Sequence, residues 1–144
     1  MQTLVKNTKL NVPLLQEIAS IYVGRQVVVS IVPGVTWRGE AGRHGGKDVI
    51  KLGGEQSVDN LAYSFWHEVA HCALHQNANT PDSVTVADLD IATAQAKAKP
   101  NSALLELARQ RIAREEEQAD ELAHELARDH WKKCGPLLDY VCRR

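Results

Sequence analysis

Apolar residues recur at helical spacing near the start of the chain, where Leu14, Leu15, Ile18, Ala19 and Tyr22 line one face of a predicted helix. Asn11 or Val12 opens that helix with Pro13 near its start, and Gly24 closes it. The rhythm then shortens. Gln26–Val32 is a run of β-branched residues that reads as a buried strand, and Pro33-Gly34 is a turn signal. Val35–Ala41 reads as a second strand, Arg43–Gly46 as a hairpin loop, and Asp48–Leu52 as the returning strand. Beyond Gly53-Gly54 the helical period returns. Ser57 is placed to cap a helix over Val58–His75. Gln76–Asp82 reads as a loop, and Val84–Lys99 as a short alanine-rich helix ended by Pro100. With Asn101 or Ser102 as cap, a long helix runs to about Lys133, where Gly135-Pro136 stops it.

These elements predict one α+β domain over residues 1–144. A small antiparallel sheet lies beside the middle helix, a long C-terminal helix packs across it, and residues 77–100 form an insertion. Hydrophobic residues make up 44% and charged residues 24% of the chain, the balance of an ordinary folded protein rather than a disordered one. The formal net charge of −1, with no basic stripe among aromatics, gives no phosphate-binding surface, so no nucleic-acid partner is expected. No apolar run spans a bilayer, and the first twenty residues lack a signal-peptide core. Cys72, Cys134 and Cys142 form no CxxC pair and read as thiols of a cytoplasmic protein, with a Cys134–Cys142 bridge as the alternative.

The chemistry lies in HEVAH. His67 and His71 are one helical turn apart, so both imidazoles leave the same face and can reach one ion. Glu68 stands about 100° round the helix, beside the ion without ligating it, where it can act as a general base. Zinc suits this set, because two imidazoles and one carboxylate leave a fourth tetrahedral position for water. His75 is about 12 Å of rise from His67 and cannot share that ion. The metzincin extension, a glycine and a third histidine two residues past His75, is absent.

Periodicity sorts the acidic triplet of the long helix. Leu104, Leu105, Ala108, Ile112, Ala119, Leu122, Ala123, Leu126 and His130 define its core-facing stripe. Glu115 lies on that stripe, Glu116 on its shoulder, and Glu117 nearly opposite. Glu116 is therefore the expected third ligand, and Asp120, one turn on, can hold the free N–H of a ligating histidine. His124–Arg128 imitates HEVAH but has Arg128 where a second histidine belongs, so no second metal site is expected. Tyr22, Arg43, His44 and Tyr63 are candidate oxyanion donors that no spacing argument separates.

His67–His75, HEVAHCALH, resembles the HE-[LI]-[AG]-H-x-x-L-H helix of the ImmA/IrrE-type zinc peptidase-like family. Glu116–Ala123, EEQADELA, resembles that family's E-x-E-A-[ND]-x-F-A segment. Arg38-Gly39 and DVIKL also look like its small sheet, and the likeness covers residues 10–76 and 110–127. By that resemblance His67, His71 and Glu116 would be metal ligands and Glu68 the catalytic glutamate of a minimal zincin-like, gluzincin-like peptidase. Gln118 and Leu122 depart from the pattern, the L-L-M-P ending is missing, and the spacing from His71 to Glu116 is longer than the family's. Relatives often carry a DNA-binding domain, for which 144 residues leave no room, and are implicated in cleaving or removing transcriptional repressors. The expectation is a zinc metallopeptidase acting on a peptide bond of a protein, such as a repressor. Two alternatives stand beside it: a zinc-stabilised module that binds a protein without cleaving it, and a helical interaction protein without metal.

Overall fold

The computed structural model describes residues 10–74 and 103–137, so the expected insertion at 77–100, His75 and Cys142 lie outside the described residues. Two helices pack on a three-stranded sheet and a third packs on the second of them, in the order α1 (Val12–Val23), β1 (Val27–Val32), β2 (Gly39–His44), β3 (Lys47–Gly53), α2 (Val58–Ala73) and α3 (Ala103–Cys134). The α+β class expected from the sequence is the architecture observed. None of the described helices is long and apolar enough to cross a membrane.

The helix ends follow local chemistry. Asn11 caps α1 by accepting the Leu14 N–H at 3.1 Å, and Ser57 caps α2 by accepting the Asn60 N–H at 3.2 Å. Gly24 and Gly135 close α1 and α3, their N–H groups bonding Ser20 and Trp131 carbonyls.

The sheet corrects one expectation. It is mixed rather than wholly antiparallel: the strand order is β1-β3-β2, with β1 parallel and β2 antiparallel to β3. Residues 35–38, four of the seven in the predicted second strand, instead join Pro33-Gly34 in a crossover over the end of β3. That crossover is bonded to the residues beneath it, Gly53 N–H to the Arg38 carbonyl at 3.0 Å and Glu55 N–H to the Val35 carbonyl at 3.0 Å. The crossing is so close that a Cβ on Gly53 would stand 1.9 Å from the Trp37 carbonyl oxygen. Only a residue without a side chain can occupy that place. The hairpin loop contracts to Gly45-Gly46, both with positive φ, and Arg43 and His44 become part of β2.

Val27 and Val29 of β1 and Ile50 and Leu52 of β3 face the helices and are buried with Leu15, Leu61, Phe65 and Val69. Asp48 shares this face and is fully buried. It pairs with Arg25 and lies 3.7 Å from the Arg43 guanidinium, while Arg25 also donates to the Cys72 carbonyl at 2.7 Å. That bridge joins the start of β3 to the end of α2, and breaking such a buried pair costs more than its formation contributes.

α1 also covers the outer edge of β1: Val27 N–H donates to Ser20 Oγ and Val29 N–H to Gln16 Oε1, each at 3.0 Å. Among the described residues, the outer edge of β2 pairs with no strand. Tyr22 of α1 and Phe65 of α2 pack against the Trp66 ring at 5.2 Å, and buried His130 of α3 at 5.3 Å. This aromatic cluster, with Ala119 and Ala123 buried, seats α3 closely on α2. The stripe expected on α3 holds at Ala119, Ala123 and His130 but not at Ile112, which is 42% exposed. The side chains of Leu104, Leu105 and Ala108 lie outside those described.

Candidate functional site

α2 is buried on most of its circumference, which leaves its polar residues confined to the side facing α3 and the start of β2. His67 and His71 project from that side, half-buried, with their Nε2 atoms 3.1 Å apart. The Glu116 carboxylate of α3 closes on the same point, one oxygen 2.8 Å from His67 Nε2 and the other 3.2 Å from His71 Nε2. Ala119 and Ala123 make this approach possible, because their small side chains let α3 lie against α2.

Ligands about 2.0–2.1 Å from a tetrahedral zinc stand roughly 3.3 Å from one another. The separations of 2.8, 3.1 and 3.2 Å, the first and last to different oxygens of the Glu116 carboxylate, lie close to that figure. His67, Glu68 and His71 also offer donor atoms within 4.8 Å of one another and could hold a cation themselves. Glu116 touches both imidazoles, whereas the Glu68 carboxyl is buried beside them. Of the triplet, Glu117 is exposed as expected, and so is Glu116, while Glu115 is partly buried. Glu115 turns back to Arg111 at 3.2 Å on its own helix.

Glu68 is 7% exposed and aimed at β2. A Cβ on Gly39 would stand 3.1 Å from Glu68 Cγ and 3.2 Å from Leu52, so the glycine at 39 is what lets the strand approach the carboxylate. Burial, and then the negative charges of Glu116 and Glu40, push the Glu68 carboxyl up to about 8.

Asp120 is 3.7 Å from His67 Nδ1, an ion-pair distance rather than a hydrogen bond, and that nitrogen is buried. Its close partner is Tyr63, whose hydroxyl donates to Asp120 at 2.5 Å while its ring stacks on His67 with centroids 6.0 Å apart. This bond holds the Asp120 carboxyl below its ordinary range and raises the Tyr63 phenol. Tyr63 thus braces both His67 and Asp120. Sequence periodicity could not single it out, because its importance depends on a residue 57 positions away.

A cleft of about 320 Å³ opens over these groups, lined by Arg38 and Gly39 on one side and by Tyr63, Ser64, His67, Glu68 and Glu116 on the other. Of the four candidate oxyanion donors only Tyr63 lines it. Tyr22 belongs to the aromatic cluster, Arg43 faces Asp48, and His44 sits at the hairpin tip. His124 is exposed on α3, its Nε2 3.9 Å from Asp120. Arg38 and Gln56 gave no signal in the sequence as site residues. Gln56 is buried; its amide donates to the Arg38 and Gly53 carbonyls at 2.8 Å and accepts from the Ser64 hydroxyl at 3.1 Å. It ties the crossover to α2 and so fixes one wall of the cleft against the other.

A scan of protein-family models and searches of curated proteins and of solved structures each return no match. The functional reading is carried by residue chemistry and geometry.

Proposed function

We propose that the chain is a zinc-dependent metallopeptidase of the gluzincin kind, with His67, His71 and Glu116 as ligands and Glu68 as general base. The carrying observation is the convergence of two Nε2 atoms 3.1 Å apart with a carboxylate from another helix. Three protein donors in a zinc-sized cluster beside an open cleft support a catalytic rather than a structural site. A module that uses zinc only for stability would close the fourth position with a side chain.

When bound, zinc would supply a Lewis acid that polarises a scissile carbonyl and acidifies water. Glu68 accepts the proton of the attacking water and delivers it to the leaving amine. A carboxyl that titrates near 8 is drawn down by an adjacent cation, which leaves it ionised and able to take a proton at neutral pH. Asp120 and Tyr63 hold the His67 ring in its orientation. The edge of β2 that pairs with no strand among the described residues begins at Gly39 in the cleft wall, and an extended peptide added there as a strand would run past His67 and Glu68. We further propose a cytoplasmic regulatory protein, such as a repressor, as the target. That choice rests on the likeness of HEVAHCALH and EEQADELA to the ImmA/IrrE-type segments.

The test is hydrolysis by protein purified without chelator, alongside its Glu68→Gln variant. Both should carry one zinc per chain, and only the variant should lose peptide hydrolysis. An unchanged rate would remove Glu68 from the mechanism.

A further inference from the structure

The wall opposite the histidines carries Arg38, the residue just before β2. Its backbone is pinned: its carbonyl accepts from Gly53 N–H at 3.0 Å and from the Gln56 amide at 2.8 Å. The next residue, Gly39, is packed against Glu68. The root of the Arg38 side chain is therefore fixed one residue from the proposed general base's contact. The side chain lies across the face of Tyr63, its guanidinium carbon 5.8 Å from the ring centroid. A cation on an aromatic face is held by the ring quadrupole while its edge donors stay available.

Among the described residues no carboxylate forms an ion pair with Arg38, although Glu68 and Glu116 line the same cleft. Arg43, by contrast, faces buried Asp48, and Lys51 pairs with Glu40 at 4.0 Å. Arg38 thus presents a planar fork of donors, on a fixed base, into a concave space whose other end holds the metal-binding donors. Such a fork matches a carboxylate in two-point geometry.

We infer that Arg38 is a specificity residue that binds a carboxylate of the substrate, so that the cleft takes peptides with an acidic group next to the bond presented to Glu68. This rests on the peptidase reading for the bond broken, but not for the binding preference. The carboxylate has two sources, an aspartate or glutamate side chain or the C-terminus of the peptide itself.

The experiment measures binding of fluorescent peptides to the zinc-loaded full chain carrying Glu68→Gln, by anisotropy. Capped peptides differ only in a central Glu, Gln or Lys, and a second pair differs only in a free or amidated C-terminus. The Glu peptide, the free C-terminus, or both should bind about tenfold tighter than the neutral counterpart, the scale of one charge-assisted contact. The member of the set that gains this factor identifies the source. Added Arg38→Gln should abolish the preference, and Arg38→Glu should turn it toward the Lys peptide. Arg38 is exposed and its hydrogen bonds within the fold are made by its carbonyl, which both replacements keep while giving up the contact with the Tyr63 ring. Equal weakening of all peptides by Arg38→Gln, or no acidic preference at all, overturns the assignment. A preference that persists while the unmodified protein cleaves none of the peptides would sink the peptidase reading and leave Arg38 in its role.

Discussion

Replacing Glu68 with glutamine should make the metal-free protein more stable, and by an amount that grows with pH. The native carboxyl titrates near 8, against about 4.5 when exposed, because it is buried and faces Glu116 and Glu40. Between these two values the unfolded chain has released the proton and the native chain still holds it. The native state binds more protons, so stability falls as pH rises through this window. From about pH 5.5 to 7.5 the unfolded carboxyl gains about two pH units of deprotonation free energy while the native one gains almost none. At about 1.36 kcal/mol per unit, that is about 2–3 kcal/mol. The amide introduced by Glu68→Gln keeps the shape and carries no such proton, so the variant should lack this slope. Urea unfolding of chelator-treated protein at several pH values measures it, and subtracting the variant's curve removes the contribution of the histidines. Parallel curves for the two proteins would refute the claim that Glu68 is held protonated. Zinc should flatten the slope of the unmodified protein, since a cation at the histidines favours the ionised carboxylate.

Asp120→Asn should weaken zinc binding by roughly 10–100-fold in a chelator competition, with Tyr63→Phe producing a smaller loss in the same direction. Gly53→Ala should destabilise the chain by more than about 3 kcal/mol in thermal unfolding, because its Cβ has backbone 1.9 Å away and no flexible neighbour can yield. His130 is buried among Tyr22 and Trp66, and burial lowers its affinity for a proton. It therefore adds stability that is present above about pH 6.5 and lost as acid titrates it. Unfolding of His130→Gln should be less sensitive to acid below that pH.

The parts of the molecule that local rules govern were readable in advance. Capping at Asn11 and Ser57, the stop at Gly135, and the shared face of His67 and His71 all depend on residues within one or two turns. Helix phase set Glu117 aside, and Asp120 one turn further along the same flank favoured Glu116 over Glu115; Glu116 is the one that touches both imidazoles. The strand pairing was not readable. A β-branched run signals a strand but not its partner, and the parallel pairing of β1 with β3 depends on a crossover that Gly53 permits by having no side chain. Arg38 and Gln56 were hidden for a related reason, and Tyr63 could be named as a candidate but not told apart from Tyr22, Arg43 and His44. Each matters through a contact between elements distant in sequence.

The central claim is that two histidines of α2 and one glutamate of α3 meet at a single zinc ion. The most direct measurement is zinc-edge X-ray absorption on the full chain purified without chelator, with Glu116→Ala and Glu117→Ala beside it. One zinc per chain, with two imidazoles and a carboxylate about 2.0–2.1 Å away, is predicted, and Glu116→Ala alone should change that shell and lower affinity. A spectrum without imidazole ligands, or one left unaltered by Glu116→Ala, would contradict the account.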